Sequence, residues 1–508
     1  MNTSIESRAI DRLSRRQFVR GAVAVSTAAA LAPWARYVHA SIPKDELLGW
    51  SATQLAKMIR EKQITATEAV ALCYARIDEV NPKLNAVVAM CRERAMAEAQ
   101  EADAMLAAGK LKGPLHGVPF TVKDSFDTAG VVSTGGTMGR KDYVPGKDAT
   151  VVARARAAGA ILLGKTNTPE FTLGGGARGT YNLIHGQAFN PYNTAYSPAG
   201  SSGGAGAIVA AGGAFFDIGS DYGGSIRGPA NVNGIAGIKP TLGRVPRTGH
   251  IVGYGGAFDS FQETGPMARR VEDLVLLMPI LSGPDDWDAA MVPVPLGDPA
   301  KVELRKLRVA YYTTTGEVDP VPEIQQLVKT CAGYFKDLGC RITEDKPPKM
   351  KELAELRQKY NGADGREHIR RLLRMHGTQQ ASPGLRIDGE VLPSSEFTRL
   401  SEEMDAIKSE QLAWFEKYDV IICPANANPP QKVPPEFVRD PGAVRGSYTS
   451  QYNTTGWPAG VVRAGTSKLE PGMPLGIQVV GQPWRDDVVL AALGHIEKQT
   501  GGWQRPPL

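Results

Sequence analysis

Three segments of this 508-residue chain bring together residue types that can carry chemistry: Gly117-Val118-Pro119-Phe120-Thr121-Val122-Lys123-Asp124, Ala199-Gly200-Ser201-Ser202-Gly203-Gly204 and Asp221-Tyr222-Gly223-Gly224-Ser225-Ile226-Arg227. A serine hydroxyl is a poor nucleophile until a base stands within hydrogen-bond reach. Lysine serves as that base only when neutral, and burial away from carboxylates favours the neutral form because desolvation penalises the ammonium. Taken singly, each segment has an ordinary reading, since a lysine before an aspartate is commonly a solvated turn residue and Gly-Ser runs are commonly flexible loops. Gly200 to Gly204 also satisfies the G-x-S-x-G elbow of α/β-hydrolases, with Ser202 as nucleophile. That elbow needs a strand just before the serine, whereas Asn190-Pro191-Tyr192-Asn193 through Ser197-Pro198 reads as turns; His250, His368, His376 and His495 are partners by chain order only. No Gly-Lys-Ser/Thr follows the glycines, which argues against a phosphate loop, and no His-Glu or spaced-carboxylate set suggests a metal. His116 and His185 read as structural or pocket-lining, and Asn190 and Asn193 as turn residues.

The elements that must position these segments are read from periodicity and caps. Ala52 to Glu61 reads as a helix, and Thr65-x-x-Glu68 is a capping box opening a second one that Asn81-Pro82 ends. Leu84 to Ala89 reads as a strand and Arg92 to Ala107 as a helix; Gly117 to Val122 is a strand that delivers Lys123 to its end. Asp148 caps a helix reaching Ala158, before the apolar strand Ala160 to Gly164. Between Gly174 and Gly256, glycine and small polar residues crowd beyond what connecting loops need, as in segments that line a site. Further strands are expected at Leu307 to Tyr312, Arg341 to Thr343, Val420 to Cys423 and Leu475 to Val480, with helices at Pro322 to Leu338, Phe397 to Lys417 and Asp486 to Gln499. The alternation points to an α/β domain with its sheet covered on both faces. Asp345 to Gln358 and Gln379 to Ser394 are the least patterned stretches and read as surface insertions or lids.

Together the three segments resemble the amidase signature family. The resemblance continues through Gly228-Pro229-Ala230 and Gly234 to Pro246, is specific across Gly117 to Pro266, and takes in Lys165-Thr166-Asn167 and Tyr418 to Pro424. Ala199 stands where glycine is usual and Ser220 where threonine is often found. The resemblance implies an amidase signature fold, a central mixed β-sheet covered by helices on both faces, in one domain over residues 41–508. It also implies a Ser-Ser-Lys triad in which Ser225 attacks the carbonyl, Ser201 passes its proton along and Lys123 receives it, with the Gly200–Ser201 peptide cis. Without side chains, Gly223 and Gly224 let their N–H groups converge, with those of Tyr222 and Ser225, on the oxygen that turns negative in the tetrahedral intermediate. Asp221 and Arg227 are expected to brace that loop.

The reaction expected is hydrolysis of a small acyl or aryl amide to carboxylate plus ammonia or amine, through a Ser225 ester and with no cofactor. Glu170 to Leu173, including Phe171, Thr172 and Leu173, with Tyr196 and the stretch from Tyr254 to Phe261, are the expected pocket walls; Phe171, Leu173, Phe258 and Phe261 favour an apolar or aryl acyl group, or else are core. The partner expected is a small-molecule amide; assembly as a homodimer is left open. Alternatives are a glutaminase of the amidotransferase type working on charged tRNA, an esterase using Ser202, and a non-catalytic exported solute-binding protein.

With 42% hydrophobic and 22% charged residues and no run of 18 apolar residues, the body reads as globular, with no membrane span in the mature chain. Of the net charge of +5, the first 40 residues carry +4, so the rest is too balanced for a nucleic-acid surface. Those 40 residues read as a twin-arginine signal peptide: Ser14-Arg15-Arg16-Gln17-Phe18-Val19, an Ala-rich apolar stretch from Gly21 to Ala35, and Val38-His39-Ala40 before a cut at Ser41. Export by that route to the periplasm or beyond is the expected localisation. Five cysteines without a C-x-x-C indicate neither zinc nor a disulfide framework, and buried thiols are expected, with a Cys331–Cys340 bridge as the alternative.

Overall fold

Two capping boxes set the first helices. Ser51 Oγ accepts from the Gln54 amide while the Gln54 side chain accepts from the Ser51 N–H, and Thr65 and Glu68 repeat the exchange, so helices begin at Ala52 and Ala66. The second runs through Pro82 to Leu84 instead of stopping at Asn81. The stop comes where Asn85 turns left-handed at φ 47°. Asn81 instead ties the helix to the strand beyond it, its Oδ1 accepting from the Ala86 and Val87 amides at 2.8 Å. Asp148 also departs from expectation. It accepts from the Ala129 amide and Arg156, while the helix it was expected to cap, Thr150–Ala157, starts without a side-chain cap.

The computed structural model describes residues 44–175, 178–253, 260–436 and 448–508. The expected signal, residues 1–40, and the expected wall residues Tyr254 to Phe258 lie outside them. From Lys44 to Leu508 the described residues belong to one unit. Its strands, in chain order, are β1 (Val87–Met90), β2 (Pro119–Lys123), β3 (Ile161–Thr166), β4 (Tyr181–Asn182), β5 (Gly186–Gln187), β6 (Phe216–Asp221), β7 (Ala236–Lys239), β8 (Glu263–Ala268), β9 (Arg308–Tyr311), β10 (Arg341–Glu344), β11 (Val420–Pro424), β12 (Ala459–Thr466) and β13 (Pro474–Gly481). All but the β4–β5 hairpin form one mixed sheet in the order β1-β3-β2-β6-β8-β7-β12-β13-β11-β9-β10. Parallel pairs, β3–β2–β6 and β11–β9–β10, flank an antiparallel centre. Every residue of β2, β3, β6, β7, β8, β11 and β13 is buried; since successive side chains point to opposite faces, both faces of the sheet are covered.

The Gly203–Ala210 helix lies so close to β3 that a Cβ at Gly204 would stand 2.5 Å from the Asn167 backbone nitrogen, so only glycine fits there. All five cysteines are free thiols, and burial pushes Cys73 and Cys331 up to about 12. Among the described residues no helix is long and apolar enough to cross a membrane.

Candidate active site

Strand pairing brings the first and third segments together. β2 and β6 run parallel with Val122 opposite Ile218, so their carboxyl ends emerge side by side, delivering Lys123 from one and Ser220 and Asp221 from the other. Ends of this kind are where open α/β sheets hold their ligands. Lys123 is fully buried; its Nζ lies 2.6 Å from Ser201 Oγ, 3.0 Å from Ser220 Oγ and 3.3 Å from the Ser220 carbonyl. No carboxylate among the described residues lies within ion-pair distance of it. Burial pulls its pKa down to about 7, and the charges of Asp221 and Asp217, which pull the other way, do not reverse this.

Ser201 precedes the Gly203–Ala210 helix, and its peptide with Gly200 is cis. The Ser202 amide donates to the Ser225 carbonyl at 3.2 Å, which holds the two serine segments against each other. Ser225 is half-buried, and among the described residues its hydroxyl has no hydrogen-bond partner. Ser202 is fully buried with its hydroxyl 3.4 Å from the Ser220 carbonyl, and no strand leads directly into it, so the elbow geometry is not met.

Asp221 organises the loop between β6 and Ser225. Its carboxylate accepts from the amides of Gly224 (2.7 Å), Ile226 (3.0 Å) and Arg227 (3.3 Å) and from both ends of the Arg227 guanidinium at 3.0 Å. Arg227 in turn donates to the Thr449 carbonyl, Gln478 and Asn453. Burial pushes the Asp221 carboxyl up, but the Arg227 charge and these hydrogen bonds outweigh it and hold it well below the usual carboxylate range. Breaking such a pair leaves a buried charge uncompensated, at about 3 to 5 kcal/mol. Arg227→Ala is therefore expected to lower the thermal midpoint by several degrees, and no change in a thermal melt would contradict the bracing role.

One expected oxyanion donor needs correcting. The Gly224 N–H is committed to Asp221; Gly224 itself stands at φ +118°, and a Cβ there would lie 2.1 Å from Thr449 Oγ1. The amides of Gly223 and Ser225 carry no hydrogen bond among the described residues. Tyr222 contributes its carbonyl to Arg357 and its hydroxyl to Asn361 at 2.6 Å.

The expected walls separate into two groups. Phe171 is fully buried with Ile251, Ile369, Leu372 and Leu385, and both Phe171 and Thr172 adopt positive φ; Leu173 and Val252, partly exposed, cover the cluster. Phe171 is thus core beneath a wall. Phe261 belongs to a second cluster with Leu353, Met404 and Ile407, faced by Tyr222, Leu356 and Tyr360. Tyr196 is in neither cluster: its hydroxyl donates to Glu470 and its ring lies under Lys432. His116 binds the Ala102 carbonyl and the Lys112 amide, a structural role.

Sequence reasoning missed His250 as a neighbour of Lys123. Its Nδ1 accepts from Gln262 (3.0 Å) and the Val252 amide (3.4 Å), so Nε2 carries the proton and donates to Ser220 Oγ at 3.0 Å. Burial holds its pKa well below the ordinary imidazole value and keeps it neutral. With Ser220 Oγ and the Ser220 carbonyl accepting the two protons of a neutral Lys123, the amine lone pair is left for Ser201. The local sequence Thr248-Gly249-His250 carries no signal for this; the isolated bridge between Phe126 and His250 creates it.

A serine-bearing glycine loop set against a buried lysine at the ends of parallel strands of an α/β sheet is the arrangement expected of a serine hydrolase. The family model for amidases matches residues 68–490, and the chain belongs to that family, hydrolases that act on amides. The chain is similar to an indoleacetamide hydrolase of Bradyrhizobium diazoefficiens, 32% identical over 478 residues covering 90% of this chain and 88% of that one. It is similar to the same degree, 32% over 500 residues covering 91% of each chain, to the human fatty-acid amide hydrolase 2. One subunit of the glutamyl-tRNA(Gln) amidotransferase of Moorella thermoacetica is also 32% identical, over 501 residues covering 91% of this chain and 99% of that one. Among solved structures, 6-aminohexanoate cyclic dimer hydrolase with substrate bound superposes with a TM-score of 0.79 at 26% identity, covering 91% of this chain and 99% of that one.

Proposed function

We propose that the protein hydrolyses an amide with an apolar or aryl acyl group through an ester on Ser225. The observation that carries this reading is a lysine sealed in the core, pulled toward neutrality and 2.6 Å from Ser201, whose segment is bonded to that of Ser225. Ser225 Oγ attacks the carbonyl as its proton passes to Ser201 Oγ and the Ser201 proton passes to Lys123 Nζ. The negative oxygen accepts from the open amides of Gly223 and Ser225. On collapse the relay reverses: Lys123 returns its proton to Ser201, Ser201 gives its own to the nitrogen, the carbon–nitrogen bond breaks, and water repeats the cycle on the ester.

Leu173, Tyr222, Leu356 and Tyr360, half-buried over apolar clusters, support an apolar acyl side, as does the similarity to an indoleacetamide hydrolase. The test is fluorophosphonate labelling with peptide mapping, followed by a panel of aryl, acyl and amino-acid amides. A tag on Ser225 and turnover of aryl amides are expected; a tag on Ser202 would return the elbow reading, and turnover of glutamine alone would favour the glutaminase reading.

We also propose export by the twin-arginine route, on the strength of Ser14 to Val19 and the apolar stretch behind it. A reporter fused behind residues 1–40 should leave the cytoplasm, and Arg15→Lys with Arg16→Lys should hold it there; export undiminished by that pair would overturn the assignment.

A further inference from the structure

We infer that Arg357 is a positioning residue for the oxyanion site, acting through the peptide between Tyr222 and Gly223. This rests on the Ser225 reading above and adds to it a residue from outside the three segments. Arg357 lies on the Met350–Gly362 helix, inside a stretch that sequence alone reads as a surface insertion, yet its side chain is buried. Nη1 donates to the Ser450 carbonyl and to Thr454 Oγ1 (3.0 Å), and Nη2 donates to the Tyr222 carbonyl. The guanidinium lies 5.1 Å from the centre of the Tyr222 ring and 4.9 Å from that of Phe261. Among the described residues no carboxylate stands within ion-pair distance of it, in contrast to buried Arg227, Arg244 and Arg247, each of which holds an aspartate.

A buried guanidinium without a carboxylate is costly to keep, so its position asks for a use. The Tyr222 carbonyl that it binds and the Gly223 N–H are opposite ends of one planar peptide. A charged donor on the oxygen polarises that peptide, strengthens the N–H as a donor, and fixes the plane in which it points. The Gly223 N–H carries no hydrogen bond among the described residues, and Nη2 stands 3.7 Å from where a Cβ on Gly223 would be. The cation therefore sits behind the donor aimed at the developing negative charge, where its effect grows as the tetrahedral intermediate forms. The neighbouring peptide is treated differently: Thr449 Oγ1 donates to the Gly223 carbonyl at 2.8 Å, and the Gly224 N–H at its other end goes to Asp221.

The experiment compares Arg357→Met, Arg357→Lys and Ser225→Ala in the full-length protein, measuring kcat and KM for one amide, the affinity for an aldehyde analogue that forms an anionic adduct on the serine, and the thermal midpoint. For Arg357→Met, kcat should fall on the order of 10- to 100-fold with KM within about twofold, and the aldehyde affinity should fall by a like factor. Unchanged kcat and aldehyde affinity, or a loss confined to KM, would overturn the inference. If Arg357→Met melts early, Arg357→Lys carries the test: charge without the fork that joins Tyr222 to Ser450 should still lower kcat at constant KM, and wild-type kcat would count against it. Should Ser225→Ala retain turnover, the underlying reading has failed; should it be inactive while both Arg357 variants match wild type, only the inference has.

Discussion

Ser225→Ala should lose amide turnover by at least about a thousandfold while its thermal midpoint stays near that of the wild type. The two halves of this expectation have separate physical grounds. Turnover falls because neither neighbouring hydroxyl can take its place: Ser202 is sealed beneath the Ser220 carbonyl, and Ser201 is engaged with Lys123. Stability holds because the Ser225 hydroxyl, half-buried and without a hydrogen-bond partner among the described residues, contributes little to the fold. What survives of catalysis should come from the backbone amides of Gly223 and Ser225, which the substitution leaves in place. A variant that keeps more than a few per cent of its rate, assayed by ammonia release, would remove Ser225 from the mechanism.

Lys123→Met should be comparably damaging, and more so for amides than for esters, because the amine leaving group must be handed a proton and an alkoxide less so. Wild-type kcat/KM should rise about tenfold per pH unit below the lysine's midpoint near 7 and level off above it, since only the neutral amine accepts the Ser201 proton. The residual rate of the variant should lose that limb. A flat wild-type profile across this range, with chemistry rate-limiting, would be incompatible with a lysine base.

The same residue links pH to stability, with a definite sign. Its folded value near 7 lies below the ordinary 10.5, so between those limits the unfolded chain holds a proton that the folded chain does not, and stability rises with pH through the window. The penalty is complete below about 7, where it amounts to at most a few kcal/mol, and gone above about 10.5. Lys123→Met should accordingly raise the thermal midpoint most at or below neutral pH and least in alkali. A gain that instead grew with pH would mean that the lysine is not buried as described.

How much of this was legible in the chain depended on the range of the interactions concerned. Caps and helices written in neighbouring residues, such as Ser51 with Gln54, Thr65 with Glu68, and Arg92–Ala107, were readable because their partners lie within a turn. The strands β6, β7 and β8 were not, since their glycines and polar residues mask any alternation, and only burial between two layers makes Phe216 to Asp221 a strand. The Met350–Gly362 helix went unread for a similar reason: its apolar residues are few, and its fit against the Ser394–Phe415 helix supplies what its own pattern lacks. Asp148 was misjudged because two distant donors, Ala129 and Arg156, outcompete the helix start beside it.

By itself the sequence determined which residue types are available for chemistry, the alternation of helix and strand, and the membership implied by three motifs in order. Tertiary structure alone decided the protonation and aim of those residues. Lys123 inclines to the neutral form only because strands and helices far apart in the chain exclude water from it, and the Gly224 amide is withdrawn from the expected oxyanion site only because Asp221 is folded back against it. A pKa and the direction of a peptide are set by everything within several ångströms, and Ser201 and Ser220 reach Lys123, as Arg357 and Asn361 reach Tyr222, from 78 to 139 residues away along the chain.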